Sequence, residues 1–145
     1  IHGKMSSPIL FVIVGKNEPL FEAEIDTHSG AQGNDLSTRQ NYFVLHSALD
    51  LVEKSAWTTT NMYLKVVDKV NHQQVSTFLT AGNIKFMLLH GGKGEEVIKS
   101  FFNDVYGYYV KVRCIPNLNV LVHLSSKELT NLVSHDNKAV NESIL

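Results

Sequence analysis

Several residue groupings in this chain could do chemistry, and each falls short on spacing. His90–Gly91–Gly92–Lys93–Gly94 stands just before a helix-forming stretch, where backbone N–H groups could cradle an anion. The order is not that of a P-loop, and Glu95 and Glu96 put two negative charges where a phosphate would sit. A turn from strand to helix is the plainer reading. The seven histidines show no H-E-x-x-H or comparable helical pairing, so no zinc site is expected. Serine, histidine and aspartate are all present, but no G-x-S-x-G elbow marks a nucleophile. Cys114 has Arg113 beside it, which favours a thiolate, although a half-buried inert thiol explains it as well. Asn141–Glu142–Ser143 has the pattern of a glycosylation acceptor, which a cytosolic chain never presents to that machinery.

With no catalytic constellation, metal or cofactor expected, the chain reads as a scaffold that holds partners. Its 145 residues and 43% hydrophobic content suit one domain with a core of its own. Thirteen basic residues nearly balance 14 acidic ones, so no net field favours nucleic acid. A single cysteine excludes an internal disulfide and suits a reducing compartment. The longest apolar run, Ile9 to Val14, is far shorter than the roughly 18 residues of a membrane span. Any membrane contact is therefore expected to be peripheral. Ile1–His2–Gly3–Lys4 reads as a cloning remnant before a native start at Met5, with one domain over residues 5–145.

The elements that carry this scaffold follow from periodicity. Ile9 to Val14 is an unbroken β-prone run, expected as a central strand covered on both faces. After a turn at Lys16–Pro19, Phe21, Ala23 and Ile25 alternate with Glu22, Glu24 and Asp26, the pattern of a half-buried hairpin partner. A polar loop over His28–Asp35 leads to a helix from Leu36 to about Lys54, with Ser37 and Gln40 as a capping box. Tyr42, Val44, Leu45, Ala48, Leu49, Leu51 and Val52 form its apolar face. Strands are expected over Asn61–Val70, Gln73–Ala81 and Asn83–His90, joined by short turns at Asn71–His72 and Gly82. In the last strand Ile84, Phe86 and Leu88 face one way while Met87 and Leu89 face the other, so both sheet faces need cover. A second helix, Glu95 to Arg113, carries Val97, Ile98, Phe101, Phe102, Val105, Tyr108, Tyr109 and Val112 on one apolar arc. The class is α+β: five antiparallel strands, with both helices against one face.

One stripe of the first helix does not belong to that core. Phe43, His46, Ser47 and Asp50 fall at i, i+3, i+4 and i+7, which aligns an outward aromatic with a carboxylate. These four are the expected partner-binding residues, unless another segment simply covers Phe43. The sheet face carrying Tyr63, Val67, Met87 and Leu89 is the second candidate surface.

The wording of the chain also carries a resemblance. Phe11–Gly15, Ala48–Val52, Asn61–Lys65, Val67–Lys69, Thr80–Gly82, Met87–His90, Ile98–Phe102 and Asp104–Tyr106, in this order, resemble the sedlin family, small subunits of the TRAPP vesicle-tethering complex. The likeness runs nearly without interruption over residues 8–112. It implies a longin-like fold and a non-catalytic adaptor that joins other TRAPP subunits. The assembled complex activates a Rab GTPase by nucleotide exchange in traffic between endoplasmic reticulum and Golgi. The resemblance thus implies a cytoplasmic protein, peripheral at those membranes. After Arg113 the chain departs from the family pattern: Cys114 to Leu124 is unusually apolar, and Ser125 with Glu128 caps a short helix expected through about Val133, before a frayed polar end. A stand-alone longin-type module holding a peptide or lipid is the alternative, and a weak homo-oligomer through uncovered surfaces stays open.

Overall fold

The computed structural model describes residues 9–16, 18–25 and 35–113. Residues 1–4, the loop at 28–34, Cys114, the expected helix at 125–133 and the polar end beyond it lie outside the described residues. The chain divides into two compact units, Ile1–Lys93 and Gly94–Leu145.

The first unit holds β1 (Ile9–Val14), β2 (Pro19–Ile25), α1 (Asp35–Ser47), α2 (Leu49–Ala56), β3 (Tyr63–Val70), β4 (Gln73–Leu79) and β5 (Lys85–His90). The five strands form one antiparallel sheet in the order β2-β1-β5-β4-β3. Every residue of β1 and β5 is buried, as befits strands flanked on both sides and apolar on both faces. In β2 the alternation sorts as expected: Glu22 and Glu24 are exposed, Phe21 and Ala23 half-buried. The turn between β4 and β5 is held by Thr80, whose N–H donates to the Ile84 carbonyl while its Oγ1 accepts from the Ile84 N–H at 3.1 Å. Its left-handed position is Asn83, φ 60°, and not Gly82; asparagine tolerates that conformation because its short amide bonds to nearby backbone.

One sheet face packs against α1 and α2. Leu10, Val12, Val14, Val75, Met87 and Leu89 meet Val44, Leu45, Ala48 and Val52 in a buried cluster, with Tyr42, Leu49, Leu64, Val67 and Val70 packed at its margin. The other face carries a row of aromatics. Phe11 lies 6.0 Å from Phe21 and 6.5 Å from Phe86, and Phe86 stacks on Phe78 at 5.8 Å. The row crosses β2, β1, β5 and β4, linking four strands through side chains as well as backbone.

The expected single helix from Leu36 to Lys54 is two helices. α1 begins at Asp35, which places Ser37 inside the first turn and not at the cap. The interruption falls at Ala48, yet Ala48 keeps a right-handed backbone (φ −70°, ψ −14°) and the Ala48 N–H to Val44 C=O and Val52 N–H to Ala48 C=O bonds bracket it. The cause lies one residue earlier. Ser47 Oγ donates to the Phe43 carbonyl at 2.8 Å, and a hydroxyl that bonds back by four residues competes with the helix ladder and bends it.

The second unit's described element is α3 (Glu95–Arg113), with Glu95 and Glu96 in its first turn, where negative charge is favourable. Ile98, Phe102 and Val105 are its buried residues among the described side chains. The buried arc is narrower than the sequence suggests: Val97 and Tyr108 are 42% and 41% exposed, and the Lys111 ammonium sits 5.6 Å from the Tyr108 ring centre. Tyr108 stands at the margin of the buried row, where contact with the Lys111 ammonium stabilises it by about 0.5–1 kcal/mol, less than full burial would.

Candidate functional site

The outer face of α1 and α2 sets the candidate surface. Because Val44, Leu45, Ala48 and Val52 face the core, Phe43, His46, Ser47 and Asp50 are turned outward, and all four are exposed. Phe43 is 72% exposed. A phenylalanine so placed contributes little to folding, since its area stays in water in both states. The Ser47 hydroxyl proton is already given to the Phe43 carbonyl, so Ser47 is left with acceptor capacity only.

Asp50 is placed differently from expectation. It lies in the first turn of α2 and not in mid-helix, because of the break at Ala48. A carboxylate there gains a few tenths of a kcal/mol, roughly, from the helix dipole. The gain is small, since Ala48 continues the hydrogen-bond ladder and leaves fewer free N–H groups.

The same face carries two large apolar residues that periodicity reasoning overlooked. Leu36 is 76% exposed and Trp57, the residue that closes α2, is 91% exposed. Leu36, Phe43, Asp50 and Trp57 succeed one another every seventh residue, and a helix drifts only about 20° per seven. Leu36 and Phe43 stand on α1, Asp50 on α2 and Trp57 at its end, all turned outward on the two sides of the break at Ala48. That spacing was available in the sequence. Exposed tryptophan and phenylalanine are the residue types that anchor protein contacts, and the aspartate between them offers an acceptor to a donor on the other side.

The second candidate surface does not hold. Met87 and Leu89 are both fully buried against α1 and α2, so no partner reaches them, and Val67 is half-buried at the edge of the same cluster. Tyr63 is in register with Phe78 and is separated from this face by a bulge between Tyr63 and Lys65. Periodicity shows that a strand face is apolar, but not which helix takes it.

The glycine-rich turn after β5 is occupied from within. His90 Nδ1 accepts from the Gly92 N–H at 3.2 Å and the Lys93 N–H at 3.1 Å, so the backbone donors that could have met an anion are given to an imidazole. With Nδ1 accepting, the proton resides on Nε2 and donates to Ser76 Oγ at 2.8 Å. Gly92 stands at φ 89°, where a side chain is strained. Burial first, and the Lys93 ammonium second, push the His90 pKa down to about 4. Among the described residues no three His, Cys, Asp or Glu side chains converge as a metal site, and no helix is long and apolar enough to cross a membrane.

Comparison with known proteins follows the wording noted above. Residues 12–138 match the family model described as Sedlin. The match extends past Arg113, so the likeness does not end where the wording becomes unfamiliar. The chain is 42% identical over 106 residues to a protein of Drosophila melanogaster named "Probable trafficking protein particle complex subunit 2", covering 72% of this chain and 76% of that one. A Caenorhabditis elegans protein of the same name is 41% identical over 103 residues, 70% of this chain and 73% of the relative. The "Transport protein particle 20 kDa subunit" of Schizosaccharomyces pombe is 31% identical over 105 residues, 72% and 77% of the two chains.

Proposed function

The chain belongs to the sedlin family, and from that membership we propose that it is a non-catalytic adaptor subunit of the TRAPP vesicle-tethering complex. Its work is to join other TRAPP subunits. The assembly, and not this chain, carries the nucleotide exchange on a Rab GTPase that supports transport between endoplasmic reticulum and Golgi. The chain is cytoplasmic in this reading and reaches those membranes only through the complex. Supporting it, the relatives bear the names of trafficking-particle subunits.

The observation that carries the reading is the outward line of α1 and α2, in which Phe43 and Trp57 expose 72% and 91% of their surface on either side of Asp50. Two solvated aromatics on adjoining helices contribute little to the fold, whereas a subunit buries such anchors on assembly. Phe43, His46, Ser47 and Asp50 form the centre of this contact, with Leu36 and Trp57 at its ends. The test is capture from a cell extract with the purified chain as bait, the bound proteins being identified by mass spectrometry. Recovery of TRAPP subunits in stoichiometric amounts is the expected result. A chain that recovers none of them while remaining folded would refute the adaptor role.

A further inference from the structure

The sheet has two edges, and they are built differently. β3, at one end, is irregular: its register with β4 shifts between Tyr63 and Lys65 and again between Val66 and Asp68. Lys65 stands at φ 65°, and the Asp68 carboxylate accepts from the Lys69 N–H at 2.8 Å, so a backbone donor is satisfied by a neighbouring side chain. Bulges, strain and a locally spent donor all discourage a further strand. β2, at the other end, runs in unbroken register from Ile9↔Ile25 to Ile13↔Phe21, with its one irregularity at Val14 and Pro19. Among the described residues nothing is hydrogen-bonded to its outer side.

The side chains of β2 are selective. Leu20, Glu22 and Glu24 share one face and are exposed, while Phe21 and Ala23 on the other are half-buried. Neither glutamate has a cationic partner among the described residues, and their charge reaches Tyr42, whose phenol is shifted upward by burial and then by Glu22 and Glu24. A second copy of this chain is a poor occupant. Antiparallel pairing of two β2 strands about Ala23 would set Glu22 opposite Glu24 twice over, and like charges directly opposed destabilise a strand pair. Opposite charges at the same positions stabilise it.

We propose that the outer edge of β2 is a docking site for an extended peptide segment of another protein, added as a sixth strand and carrying lysine or arginine at alternate positions opposite Glu22 and Glu24. Its intervening residues are apolar and lie beside Phe21 and Ala23. Backbone hydrogen bonds supply affinity, and the alternation supplies specificity. This edge belongs to β2 and the line of Phe43 and Trp57 to α1 and α2, and different observations carry the two assignments, so each is tested by itself.

The probe is a capped synthetic peptide, Lys-Val-Lys-Val-Lys-Val-Lys, added to the full chain at physiological ionic strength with residue-resolved amide exchange as the readout. Exchange should slow within Pro19–Ile25 and stay unchanged in Tyr63–Val70. The clustered isomer Lys-Lys-Val-Val-Lys-Lys-Val should bind at least about tenfold more weakly, since no two of its lysines stand two apart and no register sets lysines opposite both glutamates. The double variant Glu22→Lys, Glu24→Lys should lose affinity for the Lys-Val peptide by about the same factor and accept a Glu-Val peptide instead. A Lys-Val peptide methylated on every backbone nitrogen, which keeps every charge but has no donor on either edge, should fail to bind and needs no variant to fold. The proposal is overturned if the clustered or methylated peptide binds as tightly as the alternating one, if protection appears elsewhere than β2, or if no protection appears at millimolar peptide.

Discussion

Acid should unfold this protein through one identifiable histidine. His90 is fully buried, its Nδ1 filled by two backbone N–H donors and its Nε2–H bound to Ser76, so the folded state has no room for a second ring proton. Its pKa is about 4 in the folded chain, against about 6.5 when unfolded. A group depressed in this way contributes its full stability above pH 6.5 and loses it as pH falls through the folded value. The interval from 6.5 down to about 4, at about 1.4 kcal/mol per pH unit, makes the loss about 3 kcal/mol. Urea unfolding at a series of pH values between 7.5 and 4, on the wild type and on His90→Gln, isolates the contribution, because every other titrating group is common to both. The variant should start less stable and fall more gently, with the two curves converging near pH 4. Direct observation of the ring protons by NMR should place the His90 titration near 4. A midpoint near 6.5, or parallel curves for the two proteins, would refute the burial and hydrogen-bond reasoning.

Other substitutions separate core from surface. Thr77 is fully buried and its hydroxyl lacks a hydrogen-bond partner. Thr77→Val should therefore stabilise by about 1–2 kcal/mol, read as a higher urea midpoint at unchanged slope. Met87→Ala, at a fully buried position first expected on a partner surface, should cost about 2–5 kcal/mol by the same measurement. Ser47→Ala removes the hydroxyl that bends the helix at Ala48 and should raise stability by about 0.5 kcal/mol, with a slight gain in helical circular dichroism.

What the sequence disclosed was local. The run from Ile9 to Val14, the alternation from Phe21 to Glu24 and the apolar face of Val44, Leu45, Ala48 and Val52 each report their own burial, although that last face is shared by two helices and not one. What it withheld depends on neighbours. Residues Met87 and Leu89 are as apolar as any interface, and only the packing of α1 and α2 reveals that they are already covered. The break at Ala48 arises from a hydroxyl orientation that composition does not encode. His90 stands in a glycine-rich turn that suggests ligand binding, but its own ring fills the turn. Trp57 was legible, seven residues beyond Asp50, yet it lies just past the periodic core pattern that drew the helix.

The adaptor reading turns on whether the outward line of α1 and α2 serves partners or the fold. Phe43→Ala, Asp50→Ala and Trp57→Ala should each be scored twice, by thermal unfolding and by quantitative recovery of TRAPP subunits from extract. Because all three side chains are exposed, each variant should keep its stability to within about 0.5 kcal/mol. Recovery should fall by at least about tenfold for the two aromatic variants, the loss typical of truncated interface anchors, and by less for Asp50→Ala. Variants that melt like the wild type and still recover every subunit in full would contradict the account.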